Sequence, residues 1–146
     1  MIKFINLKFS KKNDLGFPYT YEKLLTKHQF YNSHQIMMMV KNKFGGLARL
    51  HYINKNTYEL GDFFIIPELR GKKYKGIKYY QHLMDQVLKY SKKVNKNAKK
   101  ITLAVDSKII PAIKVYEKNN FTKFTQKKPI LKSTKKIKFQ YMLRII

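Results

Sequence analysis

Apolar and polar residues alternate along several short segments of the chain, which is the pattern of β-strands with one buried face. The alternation is regular over residues 47–53, and residues 101–105 have the composition of a buried strand. Turn-forming residues separate the second, third and fourth of these segments, which predicts an antiparallel meander. The predicted strands cover residues 1–9, 35–40, 47–53, 57–66, 101–105, 121–125 and 138–145.

Three further segments space their apolar residues as amphipathic helices do. The first covers residues 20–31 with Thr20 as its N-cap, and the second runs for about four turns after residue 77. The third has Pro111 in its first turn and ends at Asn119. The element order is therefore β-α-β-β-β-α-β-α-β-β. A helix between the late strands requires a parallel crossover, so the sequence predicts a mixed α/β fold with a largely antiparallel sheet.

A basic, glycine-containing loop lies between the fourth strand and the second helix. It has the sequence Pro-Glu-Leu-Arg-Gly-Lys-Lys-Tyr-Lys-Gly over residues 67–76 and follows an apolar run at residues 63–66. A strand, a loop of this kind and a helix N-terminus together present backbone N–H groups to a phosphate. The alternative is a basic face that contacts only solvent. The strand–loop–helix context favours phosphate binding.

The composition fits a single globular domain of 146 residues, 44% of them apolar. The chain contains no cysteine, which excludes disulfides and thiolate–metal sites and fits a reducing compartment. No pair of histidines has the spacing of metal ligands, so we expect no metal. Charged residues interrupt the first apolar segment, which is therefore neither a signal peptide nor a membrane span. We expect a soluble, cytoplasmic protein with no membrane partner.

The formal net charge of +24 comes from 32 Lys plus Arg against 8 Asp plus Glu. An AT-rich genome explains the preference for Lys over Arg, but it leaves the scarcity of acidic residues unexplained. A field this positive attracts polyanions and raises their encounter rates. Two interpretations stay open: the charge recruits an anionic partner, such as nucleic acid or another polyanion, or it reflects codon usage alone.

Three stretches of the chain together resemble the GNAT superfamily of N-acetyltransferases. Residues 67–72, PELRGK, resemble the family's V-x-P-E-x-R-G-K entry to its pyrophosphate loop. Residues 79–84, YYQHLM, fit the helix that follows this loop. Residues 112–121, AIKVYEKNNF, resemble A-I-x-L-Y-E-K-x-G-F. The order and the spacing of all three fit, and the likeness covers roughly residues 36 to 125.

The resemblance implies one GNAT-like domain over residues 1–146, with a mostly antiparallel sheet, a splayed pair of parallel strands and about three helices. It implies that acetyl-CoA lies between residues 62–66 and residues 101–105, and that a backbone N–H of the first strand polarises the acetyl carbonyl. The acceptor would be a primary amine, and the protein a monomer or homodimer. The residues that the resemblance assigns to acetyl-CoA are Phe64, Ile65, Ile66, Arg70, Gly71, Lys72, Lys73, Tyr74, Lys75 and Gly76.

Two positions depart from the family pattern, in which the loop is R-x-x-G-x-G/A. Counted from Arg70, the two glycine positions hold Lys73 and Lys75. If the loop carries one extra residue, Gly76 falls at the position of the last glycine. The family uses these glycines to bring the backbone close to the phosphate oxygens, and the lysines of this chain would offer positive charge to the phosphates instead. The second departure is Ile109, which stands where many members carry Asn.

The same resemblance indicates two catalytic residues. Tyr116 occupies the position of the general acid, where a phenol reaches the sulfur of CoA; the alternative role is packing beside Phe121. Glu59 is the best candidate for the general base, because it lies on the strand that leads to the loop in a chain with only 8 acidic residues; the alternative is a solvated strand position. Weaker candidates for the base are Asp62, His51 and His82.

The charge narrows the choice of acceptor. A field of +24 repels basic histone tails and polyamines, whereas amines carried on anions fit it. The sequence therefore predicts an acetyl-CoA-dependent N-acetyltransferase with an anion-linked amine as acceptor. The alternative is a degenerate GNAT-fold module that binds nucleic acid through its basic surface without catalysis. The replaced loop glycines favour this alternative, and the presence of Arg70, Gly76 and Tyr116 argues against it.

Overall fold

The structure is a computed structural model that describes residues 1–9, 25–129 and 131–146. Three helices occur in these ranges: α1 (Lys27–Tyr31), α2 (Tyr79–Val94) and α3 (Ile110–Lys118). A 3₁₀ turn spans Pro67–Leu69. The strands are β1 (Ile2–Lys8), β2 (His34–Val40), β3 (Lys43–Asn54), β4 (Thr57–Ile65), β5 (Lys73–Tyr74), β6 (Ile77–Lys78), β7 (Lys100–Asp106), β8 (Thr122–Phe124) and β9 (Phe139–Ile145).

Seven of these strands form one sheet in the order β1-β2-β3-β4-β7-β9-β8. Neighbouring strands are antiparallel except β4 and β7, which run parallel from the pair Thr57–Lys100 to the pair Leu60–Leu103. A parallel pair needs a long crossover, and α2 supplies it. The predicted mixed α/β fold, with its meander, its parallel pair and its three helices, is confirmed.

The parallel pair opens beyond its fourth rung. Its last pairing joins Leu60 to Leu103, although β4 continues to Ile65 and β7 continues to Asp106. Over this length β4 still pairs with β3, and β7 still pairs with β9. The sheet therefore divides between β4 and β7, and the backbone groups along the gap lose their strand partner.

A β-bulge lies on β4 where the gap begins. The β3–β4 register shifts between Leu50–Leu60 and Arg49–Asp62, so Gly61 has no partner in the ladder. A Cβ on Gly61 would lie 2.0 Å from Nε2 of the buried His51, so only glycine fits against this ring. A bulge increases the local twist of a strand, which helps to turn the end of β4 away from β7.

One face of the sheet packs against α2 and α3. The buried stripe of α2, which includes Leu83 and Val87, joins Tyr58 and Leu60 of β4 and Ile113 of α3 in a single core. Burying each large aliphatic side chain of this stripe contributes about 1.5–3 kcal/mol. Because side chains alternate along a strand, the residues of β4 between these core positions point to the opposite face.

The first helix differs in part from its prediction. Residues 20–24, including the predicted N-cap Thr20, lie outside the described residues. The structure begins α1 at Lys27, after Thr26, whose hydroxyl accepts a hydrogen bond from the backbone N–H of Gln29 at 3.1 Å. The Gln29 side chain accepts one from the Thr26 backbone in return. This reciprocal capping box fixes the start of the helix.

The third strand is longer than predicted. It begins at Lys43 and not at residue 47: after a bulge at Gly45 of β3, opposite Met38 and Met39 of β2, the pairing continues through Phe44 to Lys43. No helix in the described part of the chain is both long and apolar enough to cross a membrane.

Candidate active site

An apolar cleft of about 610 Å³ lies at the open end of β4, between that strand and α3. Its volume falls within the range of small-molecule sites, roughly 300–1,000 Å³. Three of the residues predicted to bind a cofactor, Phe64, Ile65 and Arg70, line it. The remaining lining residues are Phe63, Tyr80, Ile109, Pro111, Ala112, Val115 and Tyr116.

Arg70 is held against the wall of the apolar cleft by two contacts. Its Nε donates a hydrogen bond to the carbonyl oxygen of Ile65 at 2.8 Å, and its Cζ lies 5.3 Å from the centroid of the Phe64 ring. These contacts fix the plane of the guanidinium. The terminal nitrogens remain as donors, in the fork geometry that suits a phosphate.

Residues 73–78 form a β-hairpin, so the prediction of a loop through Gly76 is wrong for this part. Strands β5 and β6 pair through Lys73–Lys78 and Tyr74–Ile77, and the turn between them consists of Lys75 and Gly76. Both turn residues have positive φ, at 51° and 78°, as a two-residue hairpin turn of type I′ requires. The loop thus closes on itself before α2 begins.

The hairpin packs on α2, away from the apolar cleft. The ring of Tyr74 lies 5.8 Å from the ring of His82, whose Nε2 donates to the Tyr74 carbonyl oxygen at 2.9 Å. Nζ of Lys75 lies 5.5 Å from the centroid of the Tyr74 ring. The predicted cofactor residues that do not line the apolar cleft are Ile66, Gly71, Lys72, Lys73, Tyr74, Lys75 and Gly76; of these, Gly71 lines a neighbouring cavity of about 90 Å³.

Four residues line the apolar cleft although the sequence assigned them no role in the site: Tyr80, Pro111, Ala112 and Val115. Tyr80 lines the apolar cleft, and Nζ of Lys78 lies 6.0 Å from its ring centroid. Ile109 caps α3 without a side-chain hydrogen bond and is 50% exposed. Pro111, Ala112, Val115 and Tyr116 share one helix face, and this spacing is the signal that would have found them.

Tyr116 lies in the apolar cleft between two aromatic rings. The centroid of its ring is 6.3 Å from that of Phe63 on β4 and 5.8 Å from that of Phe121, both in edge-on contacts. Burial raises the pKa of its hydroxyl to about 12. The phenol therefore keeps its proton at every pH at which the protein would be assayed, as a proton donor must.

A pair of side-chain amides sets the position of α3, and with it that of Tyr116. Nε2 of Gln81 on α2 donates to Oδ1 of Asn119 at 2.8 Å, and Nδ2 of Asn119 donates to Oε1 of Gln81 at 3.1 Å. Asn119 is buried and caps the C-terminus of α3, and Asn120 after it adopts the left-handed conformation with φ 66°. The predicted end of this helix is confirmed.

Glu59 is buried on the face of the sheet opposite to α2 and α3. Its side chain is 3% exposed, and its Oε2 has no hydrogen-bond partner among the described residues. It pairs with Thr102 on β7, one residue, or about 3.3 Å, before the last rung at Leu60. Burial raises the pKa of its carboxyl group to about 7. The interpretation of Glu59 as a solvated strand residue is therefore wrong.

Glu59 lines a second cavity, of about 190 Å³, which shares no residue with the apolar cleft. We call it the Glu59 cavity. The structure thus places Glu59 and Tyr116 on opposite faces of the sheet, with Glu59 on the last paired rung but one of β4 and β7 and Tyr116 against Phe63 in the opened part. The residues that line the Glu59 cavity are Ile53, Asn54, Thr57, Glu59, Lys100, Thr102, Phe124, Gln126, Lys128 and Leu143.

The family model described as the acetyltransferase (GNAT) family matches residues 7–121, which is more than half of the chain. The chain belongs to the GNAT family of acetyltransferases. The match includes the opened strand pair, the apolar cleft and Tyr116. No curated protein sequence matches the chain.

Solved GNAT structures share the fold at low sequence identity. The spermidine/spermine N-acetyltransferase SpeG from Vibrio cholerae is 20% identical with a TM-score of 0.68, over 99% of this chain and 95% of that one. A GNAT family acetyltransferase from Elizabethkingia anophelis with acetyl-CoA bound is 14% identical with a TM-score of 0.67, over 99% and 98%. The Campylobacter jejuni N-acetyltransferase PseH with acetyl-CoA is 19% identical with a TM-score of 0.64, over 99% of both chains.

The weaker candidates for the base in this GNAT domain have other contacts. Asp62 accepts from Nη1 of the buried Arg49 at 3.1 Å. Burial and then the charge of Arg49 lower the pKa of His51 to about 3. His82 is engaged with the hairpin on α2. Among the described residues, no group of three or more His, Cys, Asp or Glu side chains is placed to hold a metal ion.

Proposed function

We propose that the protein transfers the acetyl group of acetyl-CoA to a primary amine that carries an anionic group. The observation that supports this most strongly is the opening of β4 from β7, which begins two residues after the buried carboxyl group of Glu59 and runs past the buried phenol of Tyr116. Acetyl-CoA would lie in the apolar cleft, with Arg70 near its phosphates and its thioester at the gap. The acceptor would reach the thioester from the face that carries Glu59.

Glu59 is suited to the first proton transfer. An amine reaches the enzyme as an ammonium ion, and it must lose a proton before its lone pair can attack the acetyl carbon. A carboxyl pKa of about 7 lets Glu59 be ionised at neutral pH and still bind a proton with useful strength. Glu59 would take the proton directly or through one water molecule.

Two further groups act on the reacting atoms. A backbone N–H of β4 beyond Leu60, on the side without a strand partner, would donate to the acetyl oxygen as negative charge develops there. As the new C–N bond forms and the C–S bond breaks, the hydroxyl of Tyr116 would give its proton to the departing sulfur, and the second proton that the nitrogen loses would restore the phenol. Tyr116 is suited to this step because its pKa of about 12 keeps it protonated.

Binding of acetyl-CoA is expected to stabilise the protein through Arg70. At a hundredfold excess over Kd, a ligand adds about 2.7 kcal/mol to the free energy of unfolding, which raises Tm by roughly 5–10 °C. Arg70→Ala should weaken binding about tenfold or more, because a charged hydrogen bond contributes about 1.5–3 kcal/mol. Thermal shift with acetyl-CoA, and with CoA alone, measures both effects.

The matched control for Arg70→Ala is Lys43→Ala, which removes an exposed charge at the start of β3. The control should keep the full shift. Absence of any thermal shift with the wild-type protein at millimolar acetyl-CoA would reject the proposed function.

The alternative function is nucleic-acid binding without catalysis, and the lysine-bearing hairpin on α2 favours it. If it is correct, duplex DNA should bind with log K falling against log salt at a slope near −0.9 per neutralised phosphate. Acetyl-CoA should then have no effect, and no amine should be acetylated. A salt titration of DNA binding, beside a titration of turnover with the best acceptor, separates the two. If the KM for the acceptor does not change with ionic strength, the acceptor is not recruited by the positive charge of the protein.

A further inference from the structure

Two buried polar atoms of the Glu59 cavity have no hydrogen-bond partner among the described residues. These atoms are Oε2 of Glu59 and Oγ1 of Thr57, in side chains that are 3% and 4% exposed. The two residues are neighbours on one face of β4. An unsatisfied buried group costs about 1–3 kcal/mol, and more when it is charged. Two such groups facing one cavity indicate that a polar ligand completes them.

Three apolar residues also line the cavity and limit what the ligand can be. Ile53, Phe124 and Leu143 stand beside Glu59 and lower the polarity around its buried carboxyl group. In such surroundings a carboxylate favours a cation that donates hydrogen bonds to it, and a primary ammonium has three donors. The volume of about 190 Å³ is below the range of drug-sized ligand sites, so a small molecule or the amine-bearing end of a larger one fits.

Two lysines stand at the outer part of the same cavity. Lys100 and Lys128 line it and are exposed, so their ammonium groups lie where a ligand would extend toward solvent. Lys100 begins β7 opposite Thr57, and Nε2 of Gln126 donates to the carbonyl oxygen of Lys128 at 3.4 Å. The cavity therefore runs from one buried negative group to two exposed positive ones.

We propose that the Glu59 cavity is the acceptor site and that it selects small primary amines carrying a carboxylate or a phosphate. The ammonium of the acceptor would lie on Glu59 and Thr57, and its anionic group would lie between Lys100 and Lys128. This inference rests on the proposed function, because it makes Glu59 both the ligand of the ammonium and the base. It also gives the unusual net charge of +24 a local role.

The test uses pairs of amines that differ only in the anionic group: O-phosphoethanolamine against ethanolamine, and β-alanine against propylamine. Wild-type kcat/KM should be higher for the anionic member of at least one pair, and the pair that shows the preference distinguishes phosphate from carboxylate. Lys100→Ala and Lys128→Ala should each lower kcat/KM for the anionic member about 3- to 10-fold, the range of a partly solvated charged contact, and leave the neutral member unchanged.

The flanking lysines give matched controls. Lys99→Ala and Lys127→Ala remove the same charge one residue away from side chains that line the cavity, and they should leave both members of each pair unchanged. A general effect of the protein's field would lower the rate equally in all four variants, and this result would overturn the proposal. The double variant Lys100→Glu with Lys128→Glu should invert the preference in the pair that shows it.

Calorimetry with the CoA-saturated protein measures amine binding without turnover. Retained binding of acetyl-CoA, together with equal turnover and equal affinity for both members of every pair, would overturn this inference and leave the proposed function intact. Loss of acetyl-CoA binding itself would instead reject the proposed function.

Discussion

Glu59→Gln is expected to lower kcat by about 10²- to 10⁴-fold, the contribution of a well-placed general base. The substitution preserves the shape of the side chain but removes its ability to take a proton. Acetyl-CoA binding should be unchanged, because Glu59 lies on the opposite face of the sheet from the apolar cleft. Steady-state kinetics with a saturating acceptor, and thermal shift with acetyl-CoA, measure the two effects separately.

The same variant should be more stable than the wild type at alkaline pH. The folded-state pKa of Glu59, about 7, lies above the ordinary value of 4.5, so ionisation of this group favours the unfolded state. The wild type therefore loses stability as pH rises from about 4.5 through about 7, by up to roughly 3 kcal/mol. The neutral amide of the variant has no charge to bury. Denaturant unfolding at pH 5 and at pH 8.5 should show an advantage for the variant that is present mainly at the higher pH.

The pH profile gives a third measurement on Glu59. Wild-type kcat/KM should rise through a pKa near 7, the value of the base in the free enzyme, and Glu59→Gln should remove this limb. Glu117→Gln, which changes an exposed acid on α3, is the control and should keep the wild-type profile. A variant at Glu59 with normal kcat would show that the buried carboxyl group is not the base.

Local patterns in the sequence were sufficient for most of the architecture. Alternation predicted β3, a short apolar run predicted β2, and the apolar stripe predicted α2, because burial imposes these patterns directly. The end of α3 was predictable because asparagine adopts the left-handed conformation seen at Asn120. The T-x-x-Q pattern at residues 26–29 was also present, and it would have placed the start of α1 at Thr26.

The hairpin at residues 73–78 was not predictable in the same way. Its turn requires positive φ at both Lys75 and Gly76. Lysine rarely adopts positive φ, so only Gly76 matches the residue types that usually form such a turn. The segment carries lysines on both short strands, and no apolar alternation marks it. Contacts of Tyr74 with α2, which are made only in the folded protein, support this conformation.

The sequence indicated individual residues of the candidate site, but it did not indicate how those residues are arranged in space. Glu59 and Tyr116 could be named from the sequence, yet their separation onto two faces depends on the register of β4 and on the packing of α3. Lys100 and Lys128 come from a strand and a loop 28 positions apart, and no local pattern connects them. Pairing across the sheet brings them to one cavity.

Tyr116→Phe is expected to lower kcat by about 10- to 1000-fold, the scale of one general-acid contribution. The Phe ring keeps the edge-on contacts with Phe63 and Phe121, so the fold and the apolar cleft should be unchanged. Acetyl-CoA affinity should also be retained, because the hydroxyl acts on charge that develops only as the C–S bond breaks. Single-turnover kinetics measures the chemical step itself.

The control for Tyr116 is Tyr31→Phe, which removes a phenol from the exposed end of α1 and should leave kcat unchanged. A second measurement uses acetyl donors whose thiol leaving groups differ in pKa. If Tyr116 protonates the sulfur, the deficit of Tyr116→Phe should be largest for the most basic thiolate and should shrink as the leaving group becomes more acidic, because a stable thiolate needs no proton to depart. A deficit that stays constant across the donors, or a normal rate in the chemical step, would assign Tyr116 to packing between the two phenylalanine rings.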